Sequence, residues 1–198
     1  MLREMRILII PFFMLLLVPE MNAQSEATEP VAYTVDKAHS SVGFSVRHLG
    51  ISRVRGSFSD YDVSVSFVEG DLSTLNVNAD IRVASVDTGV DRRDNDLRSE
   101  NFFNVESYPT MTFESIRVEN IDGNMMDLVG NLTILDATRE VTLEVEYFGT
   151  AGDKAGFSAE TSILRKDFGL TWDRITEAGN IVVSNEVRIA LEMELKRL

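Results

Sequence analysis

The strongest constraint on this chain is an alternation of apolar and polar residues that returns, with period two, along most of its length. Successive side chains of an extended strand point to opposite faces, so such a run buries one face and wets the other. In LNVNADIRV, Leu75, Val77, Ala79, Ile81 and Val83 form one face, while Asn76, Asn78, Asp80 and Arg82 form the other. Val42, Phe44 and Val46 do the same, as do Tyr61, Val63, Val65 and Phe67. The pattern recurs in Met111 and Phe113, in Leu128, Leu132 and Ile134, and in Val141, Leu143, Val145 and Tyr147. It closes with Ile181, Val183, Val187, Ile189, Leu191, Met193 and Leu195, set against Ser184, Glu186, Arg188, Glu192, Glu194 and Lys196. About eight or nine strands around one apolar interior predict an all-β domain, either a sandwich or an antiparallel up-and-down barrel. Closure would remove exposed edges. An eight-stranded barrel is just wide enough to be filled by side chains or to hold one small ligand.

Turn chemistry separates the runs. Glu69-Gly70-Asp71, Asp122-Gly123-Asn124 and Gly152-Asp153-Lys154 are loop signals. Gly50 and Gly56 predict a bend or bulge in the first stretch rather than one straight strand. One segment, TGVDRRDNDLRSENFF at 88–103, breaks the alternation. Its spacing predicts one short helix with Thr88 as N-cap and Asp91 reaching back, Val90 and Leu97 on one face, and Phe102-Phe103 at its end.

The first residues read as a leader. MLREMR is a basic start, Ile7 to Val18 is an apolar run interrupted by Pro11, and PEMNAQ offers a cleavage point after Ala23. The run is too short to span a bilayer as a helix, so no stable membrane insertion is expected. The expected organisation is a signal peptide at 1–23, a disordered lead-in at 24–30 and one barrel domain at 31–198. The formal charge of -13 argues against a nucleic-acid partner. Cysteine is absent, so stability must come from the core, and a soluble periplasmic or secreted product is expected. A homodimer through an exposed barrel face is compatible with the sequence, which shows no patch that requires one.

Both histidines, His39 and His48, lie in VDKAHSSVGFSVRHLGISRVRGSF at 35–58. Metal centres usually need three or four donors, and no nucleophile accompanies the pair. Neither a metal site nor a catalytic residue is therefore assigned. His39-Ser40 is expected to satisfy buried backbone groups, and His48-Leu49-Gly50 to shape a bend. Arg47, Arg53 and Arg55 could meet a carbonyl or phosphate at a rim, although alternation turns some of them outward.

The opening stretch resembles the start of the YceI-like, lipocalin-like family of bacterial proteins. RRDNDLRSENFFNVESYPTMTF at 92–113, LTILDATREVTLEVEYFG at 132–149 and AGFSAETSILRKDFGLTW at 155–172 resemble its later hallmarks. The resemblance runs from about residue 33 to the C-terminus. It implies a lipocalin-like β-barrel with one short helix, and an apolar tunnel holding polyisoprenoid chains, isoprenoid quinones or similar amphiphiles. Many relatives are periplasmic. One departure is Asp96, which stands where many relatives have histidine.

On that reading no cofactor is required, and an isoprenoid quinone or polyprenyl lipid is the expected ligand. The expected tunnel lining is Phe44, Val46, Val54, Phe58, Leu75, Val77, Ile81, Phe102, Phe103, Phe113, Leu132, Ile134, Phe157, Phe168 and Trp172. A tail of about thirty carbons at roughly 0.3 kcal/mol per atom would gain on the order of 9 kcal/mol, enough for micromolar binding without catalysis. The alternatives are a lipid-acting enzyme using His39 and nearby acids, or a packed barrel whose outer face binds another envelope protein.

Overall fold

The structure, a computed structural model, describes residues 29–173 and 182–198. The expected leader and most of the lead-in lie outside these residues, as does Ile181 of the last apolar run. Among the described residues, eleven strand segments are present: β1 (Val31–Val35), β2 (Ser41–His48), β3 (Ser52–Phe58), β4 (Tyr61–Val68), β5 (Asp71–Arg82), β6 (Val86–Asp87), β7 (Thr110–Asp122), β8 (Met125–Ile134), β9 (Ala137–Ala151), β10 (Lys154–Leu164) and β11 (Val183–Arg197).

These segments make eight barrel strands, because three strands are kinked. β1 and β2 form one strand interrupted by a 3-10 turn at Lys37–His39, since both pair with β11. β3 and β4 continue one another opposite β2 and β1, and β5 and β6 do the same opposite β4 and β3. Every pairing is antiparallel between successive strands, and β1 closes the ring on β11. The result is an up-and-down barrel, and the sandwich is excluded.

The inward parity follows the sequence alternation. Tyr61, Val63, Val65 and Phe67 on β4 are buried, as are Met126, Leu128, Leu132 and Ile134 on β8 and Ala155, Phe157, Ala159 and Ile163 on β10. Two inward glycines serve close packing. A Cβ on Gly56 would lie 2.7 Å from Thr88 Cγ2, and one on Gly130 would lie 2.7 Å from the Glu114 carbonyl oxygen. Gly56 is thus not a bulge: β2 and β3 pair without a register shift, and Phe44 stands directly opposite it. Gly50, with φ 73°, makes the tight turn instead.

The hairpin turns sort the barrel into two ends. The turns at Glu69-Gly70, Gly123-Asn124 and Gly152-Asp153 lie at one end with both ends of the barrel-forming chain. The turn at Leu49–Ile51, the helix, the turn at Leu135-Asp136 and the segment 165–173 that follows β10 lie at the other. The helix α1 spans Asp91–Arg98, with Val90 rather than Thr88 as N-cap. The Thr88 N–H donates to Asp94 Oδ1 at 2.9 Å, and its hydroxyl bonds the same oxygen, so the expected link to Asp91 does not form. Val90 is left 47 % exposed, while Leu97 turns toward the interior.

Candidate functional site

The barrel is not packed solid. It encloses a cavity of about 480 Å³, within the range of ligand pockets. Its wall follows β11 from Val183 to Leu195. That is about 40 Å of strand, or roughly 30 Å along the axis once the usual barrel tilt is applied. The cavity is therefore an elongated slot, not a sphere.

Fourteen of the fifteen residues expected in the lining border it. Phe44, Val46, Val54 and Phe58 come from β2 and β3; Leu75, Val77 and Ile81 from β5; Phe113, Leu132 and Ile134 from β7 and β8; and Phe157 from β10. Phe102, Phe103 and Trp172 reach it from the connections at the helix end. Phe168 does not border it. The alternation stops at Leu164, where Arg165–Phe168 coil into a 3-10 turn, and Phe168 is buried in the packing of that turn with 2 % exposure. Sequence reasoning also missed lining from strands it had already found, such as Leu143 and Val145 on β9 and Ile189 and Leu191 on β11.

At the end formed by β1, β4 and β11 the cavity is floored by aromatic rings. Tyr33 stacks on Phe67 with centroids 5.2 Å apart, and Phe67 meets Phe157 edge-on at 5.7 Å. Tyr147 lies 4.8 Å from Phe157. Phe67 and Leu195 are fully buried. The Tyr33 hydroxyl donates to Glu69 Oε1 at 3.0 Å, and burial followed by that carboxylate pushes its pKa above the usual tyrosine value.

The helix end is polar. His48, Thr88, Arg93, Asp96 and Arg165 border the cavity there, beside the Phe102–Trp172 pair at 5.2 Å. Arg93 donates from Nε to Thr88 Oγ1 at 2.7 Å and from Nη2 to the Thr88 carbonyl at 2.8 Å. Arg165 is 3 % exposed, yet it is satisfied by the carbonyls of Leu170, Ser184 and Val183 and by Asp173 Oδ1 at 2.7 Å. Asp173 also accepts from Lys166, and the Lys166 and Arg165 cations together hold its carboxyl below the usual aspartate range. Asp96 accepts from Asn101 Nδ2 through Oδ1 at 2.9 Å.

The arginines expected at a rim point elsewhere. Arg47, Arg53 and Arg55 are exposed, and Arg47 and Arg53 border a polar groove on the outer wall with Glu144, Glu186 and Arg188. Parity explains this: His48 shares the inward face of β2 with Val46, and Arg165 continues the inward series Phe157, Ala159, Thr161 and Ile163.

His39 does not satisfy backbone groups with its ring. Ser40 does so alone, accepting from the Glu194 N–H at 2.9 Å and donating to the Glu194 carbonyl at 3.1 Å. The 3-10 turn brings His39 Nδ1 to 3.2 Å from Asp36 Oδ2, a shared site the sequence spacing did not require. Glu194 adds a third donor, and the three ligating atoms lie within 4.8 Å of one another. The Lys154 ammonium contacts both Glu194 and Asp36, so the cluster is organised as an ion-pair network.

Residues 33–195 match the model of the YceI-like domain. The chain belongs to the YceI-like family. Protein YceI of Salmonella arizonae is 41 % identical over 148 residues, covering 71 % of this chain and 77 % of that protein. The crystal structure of the Campylobacter jejuni YceI protein superposes with a TM-score of 0.66 at 35 % identity, covering 84 % of this chain and 97 % of that one. A polyisoprenoid-binding domain from Saccharophagus degradans has a TM-score of 0.65 at 16 % identity, covering 85 % and 99 %, and supports the shared fold. Within the described residues, no helix of this YceI-like chain is long and apolar enough to cross a membrane.

Proposed function

We propose that this YceI-like protein is an exported carrier that holds one long isoprenoid amphiphile, a polyprenyl lipid or an isoprenoid quinone, in its barrel. The observation that carries the reading is the slot itself: an apolar wall about 30 Å long by strand geometry, open toward a polar end. A flexible hydrocarbon fits such a wall by shape and apolarity, while a few polar groups fix its orientation. The Saccharophagus degradans domain, a polyisoprenoid binder by its description, supports the same ligand class. The leader at 1–23 supports export to a periplasm-like space, where a carrier for a water-insoluble lipid has a use.

The cavity counts against the packed interaction module. Binding also fits the wall better than turnover does, since the described lining residues include no serine, cysteine or lysine nucleophile. Asp36 and His39 lie outside the lining.

Mass spectrometry of solvent extracts from the full chain, purified without detergent, tests the reading. The expected result is a long-chain prenyl species near one per monomer. Protein that is lipid-free, and that takes up neither a quinone nor a polyprenol, overturns it.

A further inference from the structure

The charges at the polar end say what kind of head group the slot accepts. Among the described residues, Arg93 and Arg165 stand on the cavity wall there, with Lys166 beside Arg165. Three carboxylates answer them. Asp94, only 5 % exposed, is tied to Arg93 through Thr88, which bonds both. Asp173 bridges Arg165 and Lys166. Asp96 borders the cavity and has one oxygen, Oδ2, that accepts no hydrogen bond among the described residues. Among the described residues the carboxylates match these cations in number, Arg165 has spent most of its donors on backbone carbonyls, and Arg93 keeps uncommitted N–H groups.

Phosphate recognition draws on several guanidinium or ammonium groups left free for the anion, without a carboxylate beside it. A phosphorylated head entering here would bring negative charge beside the Asp96 carboxylate in a partly water-excluded site. Like charges at such separations repel strongly where the dielectric is reduced. An uncharged head meets no such penalty. A hydroxyl can donate to Asp96 Oδ2, and a hydroxyl or carbonyl oxygen can accept from the uncommitted N–H groups of Arg93 or from the His48 ring.

We infer that the mouth of this barrel selects a prenyl chain with an uncharged oxygen-bearing head and rejects the phosphorylated form, with Asp96 as the discriminating residue. This rests on the carrier reading and narrows it.

The test compares a polyprenol with the polyprenyl phosphate of the same chain length. Both are delivered from the same neutral detergent and followed by the fluorescence of Trp172, the single tryptophan, which lies on the cavity wall. The expected result is polyprenol binding tighter by about tenfold, with the gap closing as salt is added. Asp96→Asn and Asp96→Lys, at a half-buried helix position, should tighten phosphate binding by about three- and tenfold, and Asp96→Lys, which removes the acceptor for a hydroxyl, should weaken polyprenol binding by a few fold. Equal or tighter binding of the phosphate by the unaltered protein overturns the selectivity and leaves the carrier reading standing. Phosphate binding unchanged in both variants overturns the role of Asp96. Failure of both lipids to bind removes the carrier reading, and this inference with it.

Discussion

The two ends of the barrel are built from the same alternation and finished in opposite ways. At the β1–β4–β11 end, four aromatic rings fill the interior and every connection is a short hairpin turn. At the helix end the aromatic residues pair around the edge of the cavity, Phe102 with Trp172 at 5.2 Å and Phe58 with Phe103 at 6.0 Å, and charged side chains border it beside them. A barrel that only had to fold would gain by filling both ends, since a void forfeits dispersion contacts. The difference separates the part of the fold that secures stability from the part left open for a guest.

The comparison is broken most severely at the floor. Phe67→Ala should cost about 3–5 kcal/mol, as expected for truncation of a fully buried aromatic. Phe103→Ala at the mouth should cost about 1 kcal/mol, because a half-buried ring facing a cavity loses less. Urea unfolding of both variants measures the contrast. Equal losses would show that the mouth is packed as firmly as the floor. Lipid uptake should move the other way, impaired by Phe103→Ala even where stability is retained.

The glycines sharpen the same contrast on a smaller scale. Gly130→Ala sets a methyl against the Glu114 backbone carbonyl, which strand pairing holds in place, as well as against the end of the Phe113 ring, so about 1–3 kcal/mol should be lost. Gly56→Ala presses instead on the free end of the Phe44 ring and on a Thr88 methyl, both bordering the cavity. It should cost less stability and should reduce lipid affinity, because the displaced ring can move only into the slot. A Gly56→Ala variant that binds lipid as well as the parent would show that the slot has room to spare there.

How much of this was legible beforehand depends on whether local pattern or distant partners decide the outcome. Period-two alternation identified most strands and their inward faces, and eight wall positions, Phe44, Val46, Leu75, Val77, Ile81, Phe113, Leu132 and Ile134, follow from it directly. The same parity would have placed His48 and Arg165 inside, but a polar residue on an inward face is easily taken for a strand end. Phe168 failed because the alternation ends at Leu164 and a 3-10 turn follows. Thr88 failed as an N-cap because Asp94, further along the helix, captures its hydroxyl and N–H together. The kinks that divide three strands depend on pairing across the ring, and Glu194 joins Asp36 and His39 only after the barrel closes.

The smallest expected effect concerns that cluster, which fastens the outside of the β1–β2 kink to β11. Asp36 caps the 3-10 turn through the Ala38 N–H and is paired with His39 and Lys154. The hydrogen bond from His39 is the largest influence holding its carboxyl below the usual aspartate range. A carboxyl depressed in the folded state stabilises it above the unfolded pKa, and that contribution is lost as pH falls through the folded value. The window therefore lies below about pH 4. Asp36→Asn should lower stability by a small and constant amount above about pH 5, since exposed pairs contribute little, and the loss should shrink as pH falls through the window, making the acid-unfolding limb shallower. Circular dichroism followed from pH 7 to 2 at low and high salt reads both limbs. A loss at neutral pH comparable to that of Phe67→Ala would mean that the kink, rather than the aromatic floor, secures the closed end.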